Sequence, residues 1–88
     1  MKKNLIKLRN DIDKVDAKLL DLISKRASIA QEVGKIKNDG VIYRPEREAQ
    51  VLLRLLKDNK GPLSSESITN IFKSVISNCR ALEKKLSV

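Results

Sequence analysis

The first 38 residues contain the pattern that most limits how this chain can fold. Between Asn4 and Asn38, apolar residues recur at alternating steps of three and four, the spacing of one face of an α-helix. We therefore predict a single helix over Asn4–Asn38, about nine turns long. The apolar seam of this helix consists of Leu5, Leu8, Ile12, Val15, Leu19, Leu22, Ile29, Val33 and Ile36.

This helix is too long for a compact monomer. It would span roughly 50 Å, more than the diameter of a globular domain of 88 residues. Only two shorter helical segments follow it, and they cannot cover the whole seam. Aromatic residues are limited to Tyr43 and Phe72, so the core must be built from Leu, Ile, Val and Ala. The sequence therefore predicts an all-α homodimer in which the long helices of two chains pair.

The remaining helices are marked by their start and stop residues. Pro45 suits the first position of a second helix, because its missing N–H is not needed there. That helix is predicted to run to about Asp58 or Asn59, with Val51, Leu52, Leu55 and Leu56 on its buried side. Lys60, Gly61 and Pro62 end it. Ser64 or Ser65 then caps a third helix, whose inward face includes Ile68, Phe72, Val75, Cys79 and Leu82, with Glu83 at its edge.

Composition excludes several kinds of function. The chain has no His and one Cys, so we expect no disulfide, no metal site, no metal cofactor and no His-based acid–base catalysis. The formal charge of +8 favours anionic partners: nucleic acid, an acidic membrane or a small polyanion. Because the cations are spread along the chain, we expect binding to neither nucleic acid nor membrane. We expect no signal peptide, because no apolar run follows the two N-terminal lysines, and no membrane span, because no stretch approaches the needed length; both expectations fit a reducing cytoplasm.

Several cations stand at inward positions. Arg26 occupies the one position at which the seam is not apolar, and a buried guanidinium is costly unless an anion meets it. Lys37 follows eleven residues later on the same face, about 16 Å along the axis. Arg47 aligns with the buried side of the second helix. Together they outnumber Glu48 and Glu83, so we predict an anion-binding pocket rather than a set of internal salt bridges.

Other residues near this pocket allow two interpretations. Gly34 either permits close packing of helices or makes room for a ligand, and the sequence does not separate the two. Cys79, on the buried face of the third helix, is expected to act as a small hydrophobe. Arg9 precedes Arg26 by seventeen residues, about 25 Å along the helix, so it can reach only the site of a partner chain.

Four segments of the chain resemble one known family. The segments LRNDIDKVDAKLLDLISKR, EVGKIK, RPERE and ISNCRALE, with the spacing between them, resemble the all-helical (AroQ-class) chorismate mutase family over nearly the whole chain. The resemblance implies one chorismate mutase-type helical domain over residues 1–88, an intertwined homodimer of three-helix chains, and two equivalent sites. It also implies a cofactor-free rearrangement of chorismate to prephenate, on the way to phenylalanine and tyrosine.

The resemblance also implies roles for individual residues. Arg26 and the partner chain's Arg9 resemble the arginines that hold the two carboxylates of the substrate. Lys37 resembles the lysine that donates to the ether oxygen of the breaking bond. Arg47 resembles a supporting arginine, and Glu48 the carboxylate that accepts from the ring hydroxyl.

Three further positions complete the implied site. Glu83 stands at the second ether-oxygen position, where a carboxylic acid can donate only when protonated. Cys79 stands where family members often carry a small polar residue that helps to bind substrate. Arg44 occupies a place where Asp is common, so we expect hydroxyl recognition there to use backbone or to be altered. The reaction is unimolecular, so it needs only a clamp for the reactive conformer and charge stabilisation at the ether oxygen.

Three alternatives stay open. An isochorismate pyruvate-lyase would use a similar cationic pocket on the same fold. A basic helical dimer that binds nucleic acid would need an exposed basic stripe, which the inward placement of Arg26 and Arg47 opposes. A catalytically silent regulatory module would keep the fold without needing the arginines and the lysine.

Overall fold

A computed structural model describes the backbone of residues 2–36 and 44–86 and the side chains of residues 4–36 and 44–83. Within these ranges the chain forms three helices and no strand: α1 (Lys2–Ile36), α2 (Pro45–Asp58) and α3 (Ser65–Leu86). The predicted all-α architecture is confirmed. The predicted end of the first helix, at Asn38, lies outside the described residues.

The ends of α2 and α3 follow from a few residues. Pro45 is the first residue of α2, as predicted, and the N–H of Glu48 donates to the carbonyl oxygen of Arg44 at 3.1 Å. Between α2 and α3, the side-chain oxygen of Asn59 accepts from the N–H of Gly61 at 3.0 Å. Gly61 has φ +78°, a conformation that glycine adopts without strain.

Ser64 is the residue that caps α3. Its Oγ accepts a hydrogen bond from the backbone N–H of Ser67 at 3.1 Å. This satisfies one of the N–H groups that have no partner inside a helix at its first turn. Of the two serines that the sequence offered for this role, Ser64 is therefore the cap.

The three helices form an elongated body rather than a sphere. It measures 57 × 25 × 15 Å, with a radius of gyration of 16.4 Å. A compact domain of this length would have about 12 Å. Helix α3 packs against both α1 and α2. On α1, the half-buried positions concentrate from Arg26 onward, whereas nearly all of residues 4–25 are exposed.

Burial within the described chain is correspondingly slight. Only Ile76 and Cys79, both on α3, are buried among the residues whose side chains are described. The predicted inward side of α2 is half-buried at Val51, Leu52, Leu55 and Leu56. No helix in the described ranges is long and apolar enough to cross a bilayer.

Candidate active site

A cavity of about 310 Å³ lies between the three helices, beside the C-terminal part of α1. This volume is near the lower end of the range for small-molecule sites, roughly 300–1,000 Å³. Three parts of the chain line this cavity: the C-terminal part of α1, the start of α2 with the residue before it, and α3. Each contributes four residues at the spacing i, i+3, i+4, i+7, which places them on one helical face. The lining residues are Arg26, Ile29, Ala30 and Val33; Arg44, Arg47, Glu48 and Val51; and Ile76, Cys79, Arg80 and Glu83.

The charges on this lining do not cancel. It contains four arginines and two glutamates, so its formal charge is 4 − 2 = +2. Arg26 is half-buried, the Nε atom of Arg44 is buried, and Arg47 is exposed. Because low-dielectric walls strengthen electrostatic interactions, such a cavity attracts a small anion. Arginine also suits bidentate recognition of carboxylates.

One ion pair spans the cavity wall between α2 and α3. Nη1 of Arg80 donates to Oε2 of Glu48, and the two side chains are 30% and 25% exposed. The cations that the sequence placed at inward positions were Arg26, Lys37 and Arg47. The described pair instead uses Arg80, so Arg26 and Arg47 are not the arginines bonded to Glu48.

Gly34 lies where the C-terminal part of α1 packs closely against α3. A Cβ atom built on Gly34 would lie 3.1 Å from Cα and 3.3 Å from Cβ of Glu83. Ordinary carbon–carbon contacts are about 3.5–4.0 Å. The glycine therefore serves helix packing, and that packing places the backbone of Glu83 on the cavity wall.

Six of the eight predicted site residues line this one cavity. They are Arg26, Arg44, Arg47, Glu48, Cys79 and Glu83. Arg9 is exposed on the distal part of α1 and is absent from the lining, which agrees with the expectation that it cannot reach its own site. Lys37 lies outside the described residues, so its predicted position is untested.

The sequence interpretation missed Arg80 and overstated the burial of Arg47. Arg47 lines the cavity but stays exposed, because α2 covers the site with only part of its face. The signal for Arg80 was present: Ile76, Cys79 and Glu83 stand at i, i+3 and i+7 of one face, and Arg80 is the i+4 position of the same face.

Comparison with known proteins identifies the family. A sequence model of the family described as chorismate mutase type II matches residues 8–84 of this chain. This chain belongs to the type II chorismate mutases. A crystal structure of chorismate mutase from Helicobacter pylori in complex with prephenate superposes with a TM-score of 0.87 at 34% identity, covering 93% of this chain and 91% of that one.

Relatives of the type II chorismate mutases differ in total length. The chorismate mutase of Methanocaldococcus jannaschii is 39% identical over 88 residues, covering 97% of this chain and 89% of that protein. The bifunctional chorismate mutase/prephenate dehydratase of Neisseria gonorrhoeae is 46% identical over 84 residues, which is 96% of this chain and 23% of that protein. The chain thus spans about a quarter of the length of the bifunctional relatives it matches.

Proposed function

We propose that this chain catalyses the cofactor-free rearrangement of chorismate to prephenate in the cavity between its three helices. The observation that carries the proposal is the convergence of Arg26, Arg47, Glu48 and Glu83 on one cavity of net charge +2. Chorismate carries two carboxylates, so the charge of the site matches that of the substrate. Membership of the family and the likeness to a prephenate complex support the same assignment.

The roles of the lining residues follow from their chemistry. Arg26 and Arg47 bind the substrate carboxylates and hold the flexible dianion in the chair-like conformer that reacts. Glu48, as a carboxylate, accepts a hydrogen bond from the ring hydroxyl. Lys37 donates to the ether oxygen while negative charge builds there, and Glu83 stands at the second donor position. No nucleophile takes part, and Cys79 contributes packing.

We also propose that the functional unit is a homodimer. The support is the seam of α1, where Leu5, Leu8, Ile12, Val15, Leu19, Leu22 and Ile29 are each 48–63% exposed. Full burial of one such side chain is worth about 1.5–3 kcal/mol. A second copy of the same helix is the partner whose apolar pattern repeats at the same spacing. Antiparallel or crossed pairing would bring Arg9 of the partner to the open side of the cavity, where it would complete the carboxylate clamp.

The activity is tested by following the loss of chorismate absorbance with purified protein and identifying the product. Prephenate is the expected product, and Lys37→Ala should reduce kcat by about a hundredfold or more, as for loss of one transition-state donor. Release of pyruvate and salicylate from isochorismate, without prephenate from chorismate, would replace the proposal with a lyase.

The shared site is tested with mixed dimers. Arg9→Ala and Arg26→Ala proteins should each be nearly inactive when pure. After subunit exchange, a heterodimer has one site with both wild-type arginines, so activity should return to as much as half that of the wild type per exchanged dimer. Exchange demonstrated by a mass-tagged subunit, without recovery of activity, contradicts a site built from two chains.

A further inference from the structure

We propose that Arg80 is a positioning residue, which holds the carboxylate of Glu48 so that Glu48 can accept from the ring hydroxyl of the substrate. This inference rests on the proposed function, which supplies the hydroxyl. The two residues are 32 positions apart, on α3 and α2, and their side chains meet at the cavity. Both side chains are mostly buried, so the charge-assisted bond is less screened than a surface pair.

The bond uses one oxygen of Glu48 and leaves the other for a ligand. Arg80 donates to Oε2. Within the part of the chain that the structure describes, Oε1 accepts no hydrogen bond. A carboxylate oxygen has two lone pairs that can accept, so an ionised Glu48 fixed through Oε2 keeps a directed acceptor for a hydroxyl group.

Without Arg80, Glu48 would have competing partners. It is adjacent to Arg47 in sequence and one helical turn from Arg44, and all three line the same cavity. A carboxylate that turned toward these arginines would neutralise cations that the substrate needs. By engaging Glu48 from α3, Arg80 keeps it away from Arg47 and preserves a site that can take a dianion.

The position of the pair explains why Arg80 acts through Glu48 rather than on the reacting bond. Glu48, Ile76 and Arg80 also border a second cavity on the outer side of α2 and α3, together with Leu52 and Lys73. The ion pair therefore forms the wall between the two cavities. A residue in that wall orients its neighbour, whereas Glu83, one helical turn further along α3, packs against α1 at Gly34.

A double-mutant cycle on kcat/KM for chorismate tests the inference. The proteins are the wild type, Arg80→Met, Glu48→Gln and the double variant, with Arg80→Lys as the conservative change. Arg54→Met is the matched control, because Arg54 is an exposed arginine of α2 that lines neither cavity. Thermal unfolding of every variant separates loss of structure from loss of positioning.

We expect Arg80→Met to lower kcat/KM about tenfold, the loss of one hydrogen bond between charged groups. The loss should appear mainly in KM, since the hydroxyl contact exists in both ground and transition states. In the Glu48→Gln background the same substitution should change kcat/KM less than twofold. Arg80→Lys should recover part of the loss, and Arg54→Met should match the wild type.

Other outcomes identify which proposal fails. A wild-type protein that does not consume chorismate overturns the proposed function, and the inference falls with it. An active wild type in which Arg80→Met is equally harmful with and without the Glu48→Gln substitution overturns the inference alone, because Arg80 then acts independently of Glu48. A loss of kcat/KM that parallels a lower Tm in both backgrounds also overturns it.

Discussion

Replacing Gly34 by Ala should lower both the stability of this chain and its proposed activity, although the substitution normally stabilises a helix. In an exposed helix interior, Ala is favoured over Gly by about 1 kcal/mol. At position 34, however, the added Cβ would lie 3.1 Å from the backbone Cα of Glu83. That is about 0.5 Å closer than an ordinary carbon contact. A backbone atom cannot rotate away, so α3 must shift relative to α1.

The size of the effect follows from two opposing terms. Overpacking of this kind costs about 1–3 kcal/mol, against the gain of about 1 kcal/mol from helix propensity. We expect a net loss near 1 kcal/mol, which corresponds to a fall in Tm of about 4–8 °C for a domain of this size. A shift of about half an ångström at Glu83 should lower kcat about tenfold, since a misplacement of about 1 Å can cost a hundredfold.

Two measurements check this prediction together: thermal unfolding by circular dichroism, and kcat for chorismate. Ser28→Ala is the control, because Ser28 is an exposed residue of α1 outside the cavity lining. It should leave both quantities close to those of the wild type. A Gly34→Ala protein with a raised Tm and an unchanged kcat would refute the reasoning. It would show that the added Cβ fits between α1 and α3 without displacing Glu83.

Three further predictions concern other parts of the molecule. If the side chain at position 83 is a donor to the ether oxygen, Glu83→Gln, whose amide always carries a donor, should keep most of kcat, whereas Glu83→Ala should lower it about a hundredfold; a kcat of Glu83→Ala equal to that of the wild type would remove Glu83 from the mechanism. Leu19→Glu, within the exposed seam, should dissociate the proposed dimer in sedimentation equilibrium at concentrations where Lys18→Glu does not. Ser64→Ala should lower the free energy of unfolding by about 1 kcal/mol in urea, because the cap to the N–H three residues on is lost, whereas Ser65→Ala should not.

The helices could be predicted closely from sequence because their signals are local. The apolar spacing predicted α1, and Pro45 and Ser64 indicated where α2 and α3 start. The same spacing placed Cys79 on the buried face, where it is 4% exposed. Each of these signals lies within a few residues of the feature it predicts.

The site could be predicted only in part because it depends on contacts between helices. Gly34 was ambiguous until Glu83 was found beside it, 49 positions along the chain. The sequence of α3 places Arg80 on the same face as Cys79, but its pairing with Glu48 depends on how α2 packs against α3. The location of Arg9 relative to a second chain cannot be read from one chain.

The two buried residues among those described, Ile76 and Cys79, both form part of the cavity lining. The best-packed part of the described chain and the space for the ligand therefore share the same side chains. Attempts to raise thermal tolerance by enlarging residues at these positions should obstruct the ligand. Engineering for robustness has to work on surfaces remote from α3, where tighter packing leaves the cavity open.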